Sequence, residues 1–163
     1  MKTIYIIRHG KSAHDNIYVS DHNRALLPKG EERTRLIAEY IKKNKFPCQL
    51  IISSSAVRAI ETARIITTAF PPLDYEIVVE PRLYNASASE YLDILLELDD
   101  TISQVAIVGH NPHITDFANN FLSEKLEKMI TSAVVCIEIN ADKWTELPIA
   151  PYDKKFIITF KML

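Results

Sequence analysis

Short apolar runs alternate along this chain with segments whose apolar residues recur every three or four positions. The runs at residues 3–7, 50–52 and 104–108 are nearly continuous and apolar, which is typical of central strands that are covered on both faces. Further strands are predicted at residues 76–79, 134–139 and 155–160, where apolar residues run together or alternate with polar ones. The pattern therefore predicts six strands.

Helical spacing fills most of the intervals between these strands. The first helix is predicted at residues 28–43, because Pro28 suits a first helical turn and Asn44 and Pro47 end the apolar pattern. Helices are also predicted at residues 56–69, capped by the serines at 53–55, and at residues 90–98. A fourth is predicted to begin with Asn111 as its cap and Pro112 at its first position.

The alternation of strands and helices predicts an α/β fold. We expect a three-layer α/β/α sandwich around a mainly parallel central sheet. The connection over residues 140–151 is too short for a crossover helix, so the final strands should form an antiparallel edge.

Length and charge limit the classes of function. The chain has 163 residues, of which 47% are hydrophobic, so we expect one domain over residues 1–163. A net charge of -2 gives little support to nucleic-acid binding. Arg8 and His9 end the first apolar run too early for a signal peptide or a membrane span, and Cys48 and Cys136 suit reduced, buried thiols. These features predict a cytoplasmic protein.

Candidate chemistry collects where three predicted strands end. Arg8-His9-Gly10 follows the first strand, Ser53 to Arg58 the second, and Gly109-His110-Asn111 the fourth. Ligands of open α/β sheets bind beyond these strand ends. Two arginines with planar donor groups, a helix N-terminus and two histidines would form a local anion site there.

Each of these residues also has an ordinary structural interpretation. Arg58 could be a solvated helix residue paired with Glu61 three positions later. His110 could be a hydrogen-bonded turn histidine beside a helix cap. The joint occurrence of matched side chains at three strand ends favours the functional interpretation.

Four motifs, in order along the chain, resemble those of the histidine phosphatase superfamily, also called phosphoglycerate mutase-like. Arg8-His9-Gly10 resembles its first signature, and Asp21-x-x-Arg24-x-Leu26-x-x-x-Gly30 resembles its next stretch. Ser53 with 58–63, Arg-Ala-Ile-Glu-Thr-Ala, and Gly109-His110-Asn111-Pro112 are similar to the remaining two. Within the superfamily the chain resembles the short SixA-type phosphohistidine phosphatases.

The resemblance implies roles for the residues that match. His9 would be the nucleophile, and Arg8, Arg58 and His110 would bind the phosphoryl group, with Ser12 and Asn111 as further substrate-binding residues. Water would then hydrolyse phospho-His9. No metal or other cofactor is implied. A weaker match places the segment 131–133, Thr-Ser-Ala, near the pocket.

One position departs from much of the superfamily. Many members have a general-acid glutamate shortly after the third strand, where this chain has Tyr84. A phenol with a pKa near 10 is a poor acid at neutral pH, and SixA-type members look similar in lacking the glutamate. Asp15 is a fallback proton donor. The departure and the short chain favour phosphohistidine in proteins as substrate.

Three alternatives stay open at the level of sequence. The chain could hydrolyse small phosphate esters, or it could be a non-catalytic phosphate-binding module. A metallohydrolase using His9, His14, Asp15 and His110 is a further possibility, although their spacing matches no familiar metal site. The expected partners are a phosphorylated protein or a small phosphate ester, with phosphate as product and with no nucleic acid or membrane. The oligomeric state is not predicted.

Overall fold

A single sheet carries the strands of this protein. The computed structural model describes residues 1–14, 16–70 and 77–163, and six strands and four α-helices lie within them. The strands are β1 (Lys2–Arg8), β2 (Leu50–Ser53), β3 (Ile77–Val79), β4 (Gln104–Gly109), β5 (Val134–Ile139) and β6 (Tyr152–Ile158). The helices are α1 (Pro28–Lys43), α2 (Val57–Thr67), α3 (Ala88–Leu96) and α4 (His113–Asn119).

The sheet is mixed and mostly parallel. Its strand order is β3-β2-β4-β1-β5-β6. The β3–β2, β2–β4 and β4–β1 pairs are parallel, whereas β5 runs antiparallel to both β1 and β6. The predicted α/β fold with an antiparallel edge is therefore confirmed.

Side chains of the central strands point alternately into two buried layers. Ile4, Ile6 and Ile107 pack with α3 and α4 on one face of the sheet. Tyr5 and Ile7 pack with α1 and α2 on the other. Because both faces are covered, β1 and β4 need apolar residues at every position, which explains their continuous apolar runs. Cys48 and Cys136 are free thiols buried in the second layer.

Several predicted boundaries and caps differ from the structure. The bounds of α1 agree with the prediction, but β6 begins at Tyr152 and α3 begins at Ala88. Pro112 is the N-cap of α4, so it is not the first helical residue, and Asn111 does not cap this helix. The prediction that the serines at 53–55 cap α2 is also wrong, because the N-cap of this helix is Ala56 and no side chain caps it. The predicted start of the third strand at Glu76 lies outside the described residues.

Parallel pairing brings the ends of three strands to the same edge of the sheet. Arg8 of β1 pairs with Gly109 of β4, and Ser53 of β2 pairs with Val108 of β4. Backbone hydrogen bonds continue past the strand ends, from His9 N to Gly109 O at 3.1 Å and from Ser54 N to Val108 O at 3.0 Å. The candidate residues therefore lie directly after the central strands, next to one another at one edge of the sheet.

None of the helices in the described part of the chain has the length and apolar character needed to cross a membrane.

Candidate active site

His9 is buried directly after β1, and the residue is 8% exposed. Its Nδ1 lies 2.7 Å from the carbonyl oxygen of Gly10. Since a carbonyl only accepts hydrogen bonds, Nδ1 carries the proton and Nε2 has a free lone pair. Arg58 Nε donates towards that Nε2 over 3.4 Å, which agrees with the same tautomer. The nitrogen of His9 with nucleophilic character is therefore Nε2.

The surroundings of His9 keep its ring neutral. Burial above all, with smaller contributions from the nearby His110, Arg58 and Arg8, lowers the pKa of His9 to about 3, although the hydrogen bond to Gly10 acts in the opposite direction. A positive charge on the ring would be desolvated and would face two guanidinium groups. At neutral pH the imidazole is consequently unprotonated at Nε2.

Arg58 is held by its contacts with Asp21. This arginine is 5% exposed, and its Nη1 donates to the backbone oxygen of Asp21 at 2.7 Å while its Nη2 donates to Asp21 Oδ2 at 3.2 Å. Glu61 instead accepts a hydrogen bond from Leu26 N at 2.7 Å. The alternative of a solvated Arg58 paired with Glu61 is therefore wrong.

Asp21 connects Arg58 with two further side chains. Arg24 Nη2 donates to Asp21 Oδ1 at 2.6 Å, and the Tyr84 hydroxyl donates to Asp21 Oδ2 at 2.6 Å. The Tyr84 hydrogen bond, followed by those from the arginines, holds the pKa of Asp21 well below its usual range. The same hydrogen bond raises the pKa of Tyr84. Asp21 is thus ionised at neutral pH and Tyr84 is protonated.

His110 stands beside His9 at the end of β4. The centroids of the two rings are 5.1 Å apart. Nε2 of His110 lies 2.7 Å from Ser54 Oγ, whereas its Nδ1 is buried without a partner in the described chain. Burial, followed by the charge of Arg58, lowers the pKa of His110 to about 4. This histidine is therefore also neutral at pH 7.

Arg8 supplies a third nitrogen-rich side chain at the same strand end. Its Nη1 donates to Met129 O at 2.8 Å, and its Nε is buried without a hydrogen-bond partner among the described residues. Burial lowers the pKa of Arg8, although a guanidinium stays charged at neutral pH. Arg8 Nε and His110 Nδ1 are thus both buried without a hydrogen-bond partner in the part of the chain that the structure describes.

These side chains line a cavity of about 350 Å³. Of the predicted site residues, the cavity brings together His9, Arg8, Arg58, His110, Ser12 and Asn111. Ser12 Oγ accepts a long hydrogen bond from Arg24 Nη1 at 3.4 Å. The Asn111 amide donates to Met129 O at 2.9 Å and accepts from Thr115 Oγ1, which explains why it is not a helix cap. Thr131 lines the cavity as well.

Gly109 lets the end of β4 approach α3 closely. A Cβ atom on Gly109 would overlap the Tyr91 hydroxyl and would lie 2.8 Å from Tyr91 Cζ. That hydroxyl accepts a hydrogen bond from His110 N at 3.2 Å. The glycine is therefore needed for the contact that fixes the backbone of His110.

The residues of the suggested metallohydrolase site have other partners. His14 Nδ1 lies 2.6 Å from Arg24 Nη1, and His9 and His110 are bonded as described above. No group of three or more His, Cys, Asp or Glu side chains suited to a metal occurs in residues 1–14, 16–70 and 77–163. Asp15, the fallback proton donor, lies outside the described residues.

Sequence reasoning missed two residues that contact the predicted ones directly. Asp21 had been noted only within a motif, and its spacing from Arg24 was the signal that could have identified it as an arginine partner. Ser54 was expected to cap a helix, yet its hydroxyl contacts His110. No local pattern distinguishes Ser54 from its two neighbouring serines, so only the strand register reveals its position.

Comparisons with known proteins agree with this architecture. The structure of the protein histidine phosphatase SixA complexed with tungstate superposes with a TM-score of 0.82, at 20% sequence identity and over 98% of each chain. A candidate phosphohistidine phosphatase SixA from Nakamurella multipartitia gives 0.83, at 18% identity over 96% of this chain and 95% of that one. An uncharacterized protein of Mycobacterium tuberculosis is 24% identical over 151 residues, covering 86% of this chain and 91% of its own.

A family model places the chain among these folds by sequence as well. The model of the histidine phosphatase superfamily (branch 1) matches residues 4–100, which is more than half of the 163 residues. The matched range contains Arg8, His9, Asp21 and Arg58, and the fold adds His110 beside them. The chain therefore belongs to branch 1 of the histidine phosphatase superfamily.

Proposed function

We propose that this protein is a metal-independent phosphatase that removes the phosphoryl group from phosphohistidine in proteins through a covalent intermediate on His9. The observation that carries the proposal is the unprotonated Nε2 of His9, which lies in a cavity beside Arg8, Arg58 and His110. A nucleophile that is neutral at pH 7 and surrounded by cationic donors suits attack on an anionic phosphorus centre.

In the first step, Nε2 of His9 attacks phosphorus and the bond between phosphorus and the substrate imidazole breaks. The Nδ1–H hydrogen bond to Gly10 O, at 2.7 Å, stabilises the positive charge that develops on the His9 ring. The guanidinium groups of Arg8 and Arg58 and the ring of His110, which line the cavity, bind the equatorial oxygens. In the second step, water adds to phosphorus, the bond to Nε2 breaks with its electron pair returning to that nitrogen, and phosphate leaves as H2PO4⁻ with both protons of the water.

The proton balance of the cavity favours phosphohistidine over ordinary esters. Among the described residues that line the cavity, Asp21 is the only carboxylic acid, and its low pKa makes it a poor proton donor. Tyr84 has a raised pKa and is also a poor acid. A phosphohistidine that is protonated on its second nitrogen releases a neutral imidazole and needs no acid from the enzyme, whereas an alkoxide leaving group does.

The similar SixA structure with bound tungstate gives the proposal further support. Tungstate is a tetrahedral oxyanion, like phosphate. We therefore expect tungstate and orthophosphate to inhibit this protein competitively by occupying the cavity that contains Arg8 and Arg58.

The test compares the wild type, His9→Ala and a control, Lys161→Ala. Lys161 is exposed, lies in the short 3-10 helix Phe160–Met162, and does not line the cavity. Phosphate release is measured from a chemically phosphorylated, phosphohistidine-bearing protein and from a panel of small phosphate esters. We expect the wild type and Lys161→Ala to prefer phosphohistidine and His9→Ala to be inactive.

Trapping of the intermediate distinguishes the alternatives. An acid-labile, base-stable phosphoenzyme that is lost in His9→Ala would support the covalent mechanism. Equal activity of His9→Ala and wild type would contradict it. Comparable turnover of a small ester would instead favour the ester phosphatase, and phosphate binding without any phosphoenzyme would favour the non-catalytic module.

A further inference from the structure

Three consecutive apolar residues are exposed on the loop that follows His9. Ile17 is 88% exposed, Tyr18 is 92% exposed and Val19 is 36% exposed. We call these three residues the apolar rim. Single exposed apolar residues are common, but an exposed cluster beside a ligand cavity is typical of an interaction surface.

The apolar rim borders a groove that continues into the candidate active site. The groove has a volume of about 610 Å³, and Ile17 and Tyr18 form part of its wall. Lys11, Ser12 and His14 line both this groove and the cavity that contains His9. Ile17 and Tyr18 do not themselves line that cavity. A molecule that reaches His9 from this side would therefore pass over the apolar rim before it enters the site.

Backbone hydrogen bonds hold the base and the tip of this loop. Leu27 N donates to Lys11 O at 2.9 Å, and Ala13 N donates to Ala25 O at 3.3 Å. At the tip, Asn16 accepts hydrogen bonds from Tyr18 N at 3.0 Å and from Val19 N at 3.2 Å. The base of the loop is thus tied to the segment at residues 25–27, and the tip has hydrogen bonds of its own that order the apolar rim locally.

The charges around the groove and the cavity are mainly positive. The described residues that line the two include four cationic side chains, Arg8, Lys11, Arg24 and Arg58, and a single carboxylate, Asp21. Because the whole chain has a net charge of -2, this is a local concentration of positive charge. Carboxylates on a partner would complement it.

We infer that the apolar rim is the docking surface for a folded protein that presents its phosphohistidine next to exposed apolar side chains and carboxylates. This inference rests on the proposed function and specifies how its substrate is recognised. A free phosphorylated amino acid bound in the cavity would contact the residues that line it, and the rim is not among them. The rim should therefore affect the reaction of a phosphoprotein and leave that of free phosphohistidine unchanged.

The experiment uses the double variant Ile17→Ser/Tyr18→Ser in the full chain. Its matched control is Ile149→Ser, because Ile149 is also 88% exposed and lines neither the groove nor the cavity. The two probes are free phosphohistidine and a small folded domain that carries one phosphohistidine. We expect the double variant to lose roughly tenfold in kcat/KM on the phosphodomain, as interface anchors do when truncated, mainly through KM.

The same variant should hydrolyse free phosphohistidine at the wild-type rate, and Ile149→Ser should match the wild type on both probes. Unchanged activity of the double variant on the phosphodomain would overturn the docking inference and leave the proposed function standing. An equal loss on both probes would also overturn it, because the rim would then act through the cavity itself. If the wild type hydrolyses neither probe, the proposed function fails.

A measurement of the oligomeric state tests whether a second copy of this chain occupies the apolar rim instead. Light scattering of the wild type and the double variant measures whether the rim pairs two copies of the chain. A wild-type dimer that becomes a monomer in the double variant, with unchanged kinetics on the phosphodomain, would identify a second copy as the occupant and would overturn the inference.

Discussion

The two ring nitrogens of His9 are distinguished by their hydrogen-bond partners. Gly10 O accepts from Nδ1 at 2.7 Å, and this hydrogen bond selects the tautomer that leaves Nε2 free. Desolvation then keeps the ring neutral. A backbone carbonyl thus has the role that a carboxylate has in catalytic triads, since it orients the imidazole and stabilises its proton.

Arg58 offers a direct test of the anion site. In Arg58→Lys, one ammonium group replaces a planar fork that contacts Asp21 through two nitrogens and His9 through a third. We expect kcat/KM for phosphohistidine to fall about a hundredfold, as happens when preorganised donors are removed from an oxyanion site. The control is Arg35→Lys, because Arg35 is exposed and paired with Glu31. Equal activity of the two variants would contradict a phosphoryl-binding role for Arg58.

Tyr84 is expected to be dispensable as a proton donor. In Tyr84→Phe, the loss of the hydrogen bond to Asp21 should raise the pKa of Asp21 towards its ordinary range, because that bond is the largest cause of its depression. A ¹³C titration of the Asp21 carboxyl measures this change. Phosphohistidine hydrolysis should stay within about threefold of wild type. A hundredfold loss would identify the Tyr84 hydroxyl as a catalytic group.

At the scale of the elements, the end of β4 depends on the absence of a side chain at Gly109. In Gly109→Ala, the new methyl group would collide with Tyr91, so we expect a loss of about 2 kcal/mol in the free energy of unfolding, as in other overpacked cores. Urea denaturation measures it. Tyr91→Phe should recover part of this loss in the double variant, because the colliding hydroxyl is removed.

A double-mutant cycle tests the cause of that loss. Tyr91→Phe alone should cost about 1 kcal/mol through the lost hydrogen bond to His110 N. A favourable coupling between the two substitutions would confirm the collision. Strictly additive losses would mean that Gly109 is needed for another reason.

The elements that the sequence predicted well are those whose signals are local. Helix α1 begins at Pro28 and ends at Lys43 as predicted, because a proline and an asparagine mark its two ends. The central strands were recognisable because burial on both faces requires apolar residues throughout. Edge strand β6 begins with exposed residues, Tyr152 to Lys155, so its first half has no apolar signal and depends on pairing with β5.

The same distinction applies to the candidate site. Arg8, His9, Arg58 and His110 were identified because each follows a recognisable strand or begins a helix, and they do line one cavity. The spacing of Asp21 and Arg24 signals their contact, but the contacts of Asp21 with Arg58 and Tyr84, and that of Ser54 with His110, depend on folding of the loop and on strand register. Asn111 was assigned a capping role from its type alone, whereas its amide bonds to Met129 and Thr115.

At the scale of the whole molecule, the two neutral histidines make stability depend on pH. The folded-state pKa values are about 3 for His9 and about 4 for His110, against about 6.5 in an unfolded chain. As the pH falls below 6.5, the unfolded state binds protons that the folded state does not, so stability falls. The stabilising contribution of the two neutral histidines is fully present above pH 6.5 and decreases as the pH falls towards 4.

Urea midpoints at pH 7 and pH 5 measure this dependence. Both pH values lie above the range in which carboxylates such as Asp21 titrate. We expect a lower midpoint at pH 5, with each histidine contributing at most about 1.4 kcal/mol per pH unit. The double variant His9→Asn/His110→Asn, which cannot titrate at these positions, should show a smaller difference. An equal difference in both proteins would mean that other groups control the effect.

The hydrogen bonds that continue past the ends of β1 and β2 also bear on hydrogen exchange. The amides of His9 and Ser54 donate to carbonyls of β4, in the middle of the sheet. Exchange of such amides requires the cooperative opening of the core, unlike that of amides in exposed loops. The backbone of the proposed nucleophile, His9, is therefore protected from fraying, and mild heating should abolish activity only when the sheet itself unfolds.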